Sequence, residues 1–120
     1  GVGVQAYGPA KGVEGLSSAA GGIGVAARSD DGTALQVLGT NAFSQAGTGT
    51  IPAGKRSAAV TGLLVKAGAG VLVTLNTAPP AGVRVDFARV VPPGKIVVIL
   101  NQKTTKPITF TYFVLEKATP

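Results

Sequence analysis

A short module recurs through the first fifty residues: glycine and valine, a few small or polar residues, then a polar, glycine-rich turn. It reads Gly3-Val4-Gln5-Ala6-Tyr7-Gly8, then Gly12-Val13-Glu14-Gly15-Leu16-Ser17, then Gly24-Val25-Ala26-Ala27-Arg28-Ser29. A degenerate copy follows as Ala34-Leu35-Gln36-Val37-Leu38-Gly39. The equivalent positions Val4, Val13, Val25 and Leu35 are 9, 12 and 10 residues apart. Apolar residues within each copy stand two apart (Val2/Val4/Ala6, Val13/Gly15, Ile23/Val25/Ala27, Leu35/Val37), so each set faces one side of a short strand. The segments between, Pro9-Ala10, Ser17–Gly22 and Ser29–Gly32, carry turn formers. An internal repeat of this kind constrains the fold more than any local motif.

The core count limits what such a repeat can build. Each strand offers two or three inward groups, several of them Ala or Gly. A β-helix made by one chain needs several full coils before neighbours bury one another. A segment of this size buries only about 60% of its unfolded surface, which is marginal even with a richer core. Three chains around one axis remove the difficulty, with Val4, Val13, Ile23, Val25, Leu35 and Val37 from each filling the centre. The expectation is an intertwined, trimeric β-helical stalk over residues 1–50.

From Ile51 the texture changes. Ser57–Thr61, Val71–Asn76, Val83–Val91, Lys95–Leu100 and Ile108–Glu116 read as strands, joined by segments rich in Gly, Pro, Asn and Thr. Within Val83–Val91, the period of two sets Val83, Val85, Phe87 and Val91 on one face and Arg84, Asp86 and Ala88 on the other. Residues 51–120 are therefore expected to form a small antiparallel β-sandwich head, and the whole chain to be all-β. Some strands are apolar on both faces: Val97 and Ile99 beside Ile96, Val98 and Leu100, and Phe113 and Leu115 beside Phe110, Tyr112 and Val114. Such second faces suit coverage by a neighbouring subunit.

Glycine and charge divide at the same point. Residues 1–50 hold 12 of the 18 glycines, and Lys11 and Arg28 stand against Glu14, Asp30 and Asp31, a net of −1. Residues 51–120 hold nine Lys/Arg against Asp86 and Glu116, a net of +7. Cys, Met, His and Trp are absent. That removes disulfides and Cys/His metal sites, and no cofactor is expected. No uninterrupted apolar run approaches the ~18 residues of a membrane helix.

The repeats resemble the Gly-Val-x-Gly-x-Ser repeats of the triple-stranded β-helical stalks in phage tail fibres, spikes and bacterial surface proteins. The second half is similar in strand spacing to the compact β-sandwich heads that cap such stalks. Val71-Leu72-Val73-Thr74-Leu75-Asn76 and Ile108-Thr109-Phe110-Thr111-Tyr112-Phe113-Val114-Leu115 also resemble H-type lectin domains, which are trimeric. The resemblance implies a homotrimer at a cell surface, outside the cell or on a virion.

Motifs that carry chemistry are few. Gly49–Arg56 approaches a phosphate-binding loop, but Pro52 lacks an N–H, Arg56 replaces the magnesium-binding hydroxyl, and Ser57–Val60 reads as extended. It reads instead as the turn from stalk to head. Ser29-Asp30-Asp31-Gly32-Thr33 reads as an Asx-type turn rather than a calcium loop, because no third acid lies near. Glu14 falls opposite the apolar set, on a solvated face, within reach of Lys11 or Arg28. Asp86 pairs locally with Arg84. Without His or Cys, a catalytic base would have to be a carboxylate or lysine, and a pair such as Asp86 with Glu116 is a thin basis for an enzyme.

The expected function is structural: a fibre or spike tip, or a surface-layer module, that registers and caps a trimer without catalysis. The alternative is a module of a trimeric receptor-binding protein that takes a surface glycan or an anionic cell surface, with Arg84, Arg89 and Tyr112 as the ligand-facing residues. The cations are not interleaved with exposed aromatics, which argues against nucleic acid.

Overall fold

The computed structural model describes residues 4–20 and 22–116. Val2 of the first repeat, Gly21 of the second turn cluster and Lys117 of the basic set lie outside the described residues. The chain divides into two compact units, Gly1–Asn41 and Ala42–Pro120.

The second unit is built from six strands: β1 (Ala46–Ile51), β2 (Ser57–Val60), β3 (Gly70–Leu75), β4 (Val85–Val91), β5 (Lys95–Leu100) and β6 (Ile108–Leu115). They form two three-stranded sheets, ordered β1-β6-β3 and β2-β5-β4, with every neighbouring pair antiparallel. Only β4 and β5 are joined as a hairpin, over Pro92-Pro93-Gly94, where the Pro92–Pro93 bond is cis. Every other connection passes from one sheet to the other. The architecture is all-β, and the sequence places β2 to β6 to within two residues at each end.

The two central strands carry the core. In β5, Ile96, Val98 and Leu100 are wholly buried, and in β6 so are Ile108 and Phe110, with Tyr112 and Val114 nearly so. Strict alternation sends these residues inward from both sheets into one shared apolar cluster, completed by Ile51, Leu63, Val65 and Val83. Leu63 and Val65 reach it from the β2–β3 connection, because their N–H groups donate to the carbonyls of Gly94 (3.1 Å) and Pro93 (3.3 Å) at the hairpin turn.

Two local readings are corrected. The segment Gly47-Thr48-Gly49-Thr50, expected as the end of the repeat region and the start of the turn after it, is most of β1, paired along its whole length with β6 from Ala46↔Phe113 to Ile51↔Ile108. Its glycines hide it from a propensity reading, since they lack the side chains by which strands are recognised. In β4 the register against β5 shifts between Val85 and Phe87, leaving Asp86 as a bulge residue. Beyond the bulge the phase inverts. Ala88 and Val90 pack against the core, opposite Val98 and Ile96, whereas Phe87, Arg89 and Val91 share the outer face with Ile99, Val97 and Lys95.

The first unit differs in kind. No strand occurs among its described residues, and every one of them is exposed. None of the four expected strands of the repeat is formed among the described residues. The second and third copies approach closely at Gly15 and Gly24 without forming a ladder, and two or three small apolar residues per segment do not offset the entropy of ordering it. The six residues expected at a trimer axis are all open to solvent, from 50% exposed at Val37 to 83% at Val4. Salt bridges here are local: Lys11 Nζ to Glu14 Oε2 (2.9 Å) and Arg28 Nη2 to Asp30 Oδ1 (2.9 Å), both at the surface.

Candidate functional site

Five of the basic residues gather around one connection, the loop Asn101–Pro107 that carries the chain from β5 to β6. Three hydrogen-bonded junctions hold it. At the first, the Asn101 side chain accepts the Arg84 N–H through Oδ1 (2.9 Å) and donates through Nδ2 to the Gly82 carbonyl (2.9 Å). The Asn101 N–H completes the junction by donating to the Arg84 carbonyl (3.1 Å).

The second junction is Thr104, the one buried polar residue among those described, at 1% exposure. Its N–H donates to the Lys55 carbonyl (2.9 Å) and its carbonyl accepts the Gly54 N–H (2.7 Å). Its Oγ1 donates to the Lys106 carbonyl (2.7 Å) and accepts the Lys106 N–H (3.3 Å). All of its polar groups are thereby used inside the protein, which is what allows a threonine to be buried.

The third junction is Arg56. Its Nε donates to the Leu100 carbonyl (2.7 Å), the Leu100 N–H donates to the Arg56 carbonyl (2.8 Å), and Nη2 lies 3.7 Å from Asp86 Oδ2. The bulge explains that partner. Asp86 stands outside the regular ladder and meets Arg56 from across β5, so the local Asp86–Arg84 pair expected from the sequence is replaced by a cross-strand one.

Lys55, Arg56, Arg84, Lys103 and Lys106 are thus each held by, or next to, a residue of this framework, and all five are exposed. Among the described residues only Arg56 of the five has a carboxylate within 4.0 Å. Five cations, with the single carboxylate Asp86 beside Arg56, therefore stand on segments at one end of the two sheets, on a backbone fixed by hydrogen bonds.

The residues expected to face a ligand are not brought together. Arg84 belongs to this cluster. Arg89 lies on the outer face of β4, opposite Val97. Tyr112 is 6% exposed and belongs to the core, its ring lying across Gly47 of β1. Sequence reading does not unite Lys55 with Lys103 and Lys106, because 48 residues separate Lys55 from Lys103 and the segments meet through the bonds of Thr104 to Lys55 and Gly54.

The remaining motifs resolve into structure. Gly49–Ile51 of the phosphate-loop-like segment belongs to β1, Pro52–Lys55 is a turn, and a strand follows rather than a helix. Asp86 and Glu116 belong to different sheets' ends, each beside its own cation; Lys66 Nζ lies 3.8 Å from Glu116 Oε2. No group of acids suited to a metal ion occurs among the described residues, and no helix among them is long and apolar enough to cross a membrane. No family model matches the chain, and no characterised protein or solved structure matches it either.

Proposed function

We propose that the chain is a structural, non-catalytic module that acts as a homotrimer. The repeat segment of three chains supplies an intertwined stalk, and the six-stranded unit registers and caps it, as at the tip of a fibre or spike or in a surface layer. One contrast carries this reading. Residues from Ala42 onward close their own core, whereas the repeat segment exposes Val4, Val13, Ile23, Val25, Leu35 and Val37 in a single chain. Regularly spaced apolar side chains with no intrachain cover are those that a partner strand buries.

The outer sheet faces add support. Leu72, Phe87 and Leu115 are exposed, and the Phe43 ring packs tilted against a half-buried Phe113 at 4.9 Å between centroids. The test is the solution mass of the chain by light scattering. The expected result is a particle near three times 11.8 kDa that resists denaturant. A monodisperse 11.8 kDa species overturns the reading, because the repeat would then have no core at all.

A further inference from the structure

We infer that the basic end formed by Lys55, Arg84, Lys103 and Lys106 is a binding site for an acidic polysaccharide, a sugar polymer that carries carboxylates at intervals along its length. The inference goes beyond the structural role and does not rest on it, since every residue of the site comes from one chain.

The first support is placement. The four side chains project from three separate segments, the β1–β2 turn, the residues before β4 and the β5–β6 loop. Asn101 and Thr104 tie the segments to one another through five hydrogen bonds at 3.1 Å or less. A scatter of solubilising charge needs no such common frame. Here the backbone is ordered before a ligand arrives, which lowers the ordering cost of binding.

The second support is charge. Asp86 is occupied by Arg56, and none of the other four cations has a carboxylate within 4.0 Å among the described residues. Four clustered cations of one sign repel one another and attract a polymer bearing the opposite charge.

The third is the chemistry between the charges. Gln102 and Thr105 are exposed among the lysines, so an amide and a hydroxyl stand ready for sugar hydroxyls. Single-stranded nucleic acid is held instead by rows of aromatic stacking platforms, and the loop Asn101–Pro107 contains no aromatic residue. Three of the four cations are lysines, whose ammonium groups meet an anionic group as adaptable point charges on flexible stems.

The experiment uses the full chain with three probes of comparable length: polygalacturonate, neutral dextran and an oligo(dT) single strand. Calorimetry is run at low and at physiological ionic strength. Polygalacturonate is expected to bind, to weaken as salt rises, and to bind more tightly than oligo(dT), with no heat from dextran. The triple variant Lys55→Gln, Lys103→Gln, Lys106→Gln should lose about tenfold or more in affinity. A charge-matched control, Lys66→Gln, Arg89→Gln, Lys95→Gln, should lose less than about threefold, since its charges act only from a distance. Circular dichroism melting establishes that both variants are folded. If the triple variant does not fold, Arg84→Gln against Arg89→Gln makes the same comparison with one charge each. Equal losses in the two sets overturn the site, as does tighter binding of oligo(dT) or an absence of binding to polygalacturonate at low salt.

Discussion

Two glycines of β1 show how much a single missing methyl group decides. Gly49 stands directly opposite Phe110, and a Cβ there would lie 2.8 Å from Cε2 of that ring and closer still to Cζ. Phe110 is wholly buried and has nowhere to retreat. Gly47 faces Tyr112 in the same way, but its Cβ would meet the phenolic oxygen at 2.8 Å, at the tip of the side chain. Overpacking of a tight core costs about 1–3 kcal/mol, and relief depends on whether the crowded group can move. Gly49→Ala should therefore destabilise the six-stranded unit by about 2 kcal/mol in urea titrations, and Gly47→Ala by under about 1 kcal/mol. The opposite ranking would mean that the aromatic rings do not lie across β1 as described. Thr104 makes a second residue-scale case. Thr104→Val keeps the shape but leaves the Lys106 carbonyl and N–H without their partner, at an expected cost of about 1–3 kcal/mol. The check is the shift of the denaturation midpoint at unchanged slope.

Three of the four crossings between sheets share one device at the scale of elements. Pro52-Ala53-Gly54-Lys55, Lys66-Ala67-Gly68-Ala69 and Pro80-Ala81-Gly82-Val83 each close with an N–H to carbonyl bond, at 3.1, 3.2 and 3.0 Å. Their glycines have φ of +78°, +87° and +78°, as the third position of a type II turn requires. They recur fourteen residues apart, one in each of the first three connections. A Cβ at Gly54 or Gly68 would meet nothing, so the cost of Gly54→Ala or Gly68→Ala is the backbone conformation alone, about 1–2 kcal/mol. Urea midpoints that do not fall for either variant would refute the shared turn.

The same scale shows where the sequence stops being legible. The alternation in β5 and β6 is unbroken, so their inward faces follow from the residues directly. In β4 it breaks, because a bulge is one extra residue and a period of two does not announce it. The sequence sets Phe87 inward and Ala88 outward, and the bulge at Asp86 reverses both. Ala88→Asp should accordingly unfold the unit or cost several kcal/mol, since it carries a charge into the packed face, whereas Phe87→Ser on the outer face should cost far less. Thermal melts of the two variants decide between the regular and the bulged strand. The basic end was hidden for a different reason. Charged residues carry no period, and their convergence depends on which loops Thr104 and Asn101 join.

At the scale of the whole molecule, the two units obey different rules. The six-stranded unit satisfies its central strands from within: two antiparallel ladders flank each of them, and one apolar cluster lies between the sheets. The repeat segment has the periodic apolar residues of a strand-forming sequence, but its described residues hold neither a ladder nor a buried core within one chain. The decisive variant is Val13→Asp with Val25→Asp. Both valines are about 70% exposed in the single chain. A monomer would accept two such carboxylates with little change, since surface substitutions away from special features cost within about 0.5 kcal/mol. A trimer would place six new carboxylates around its axis, where each loses hydration and faces others of like sign. The expected outcome is a fall in particle mass to 11.8 kDa. Rapid proteolysis should then cut within residues 4–41 while the six-stranded unit stays intact. Repeating the measurement at acid pH adds a sign. Carboxylates repelled in the assembly protonate more readily there than when apart, so lowering the pH should restore the larger particle. A variant that keeps the parent mass at neutral pH would show that these valines do not face one another across an axis.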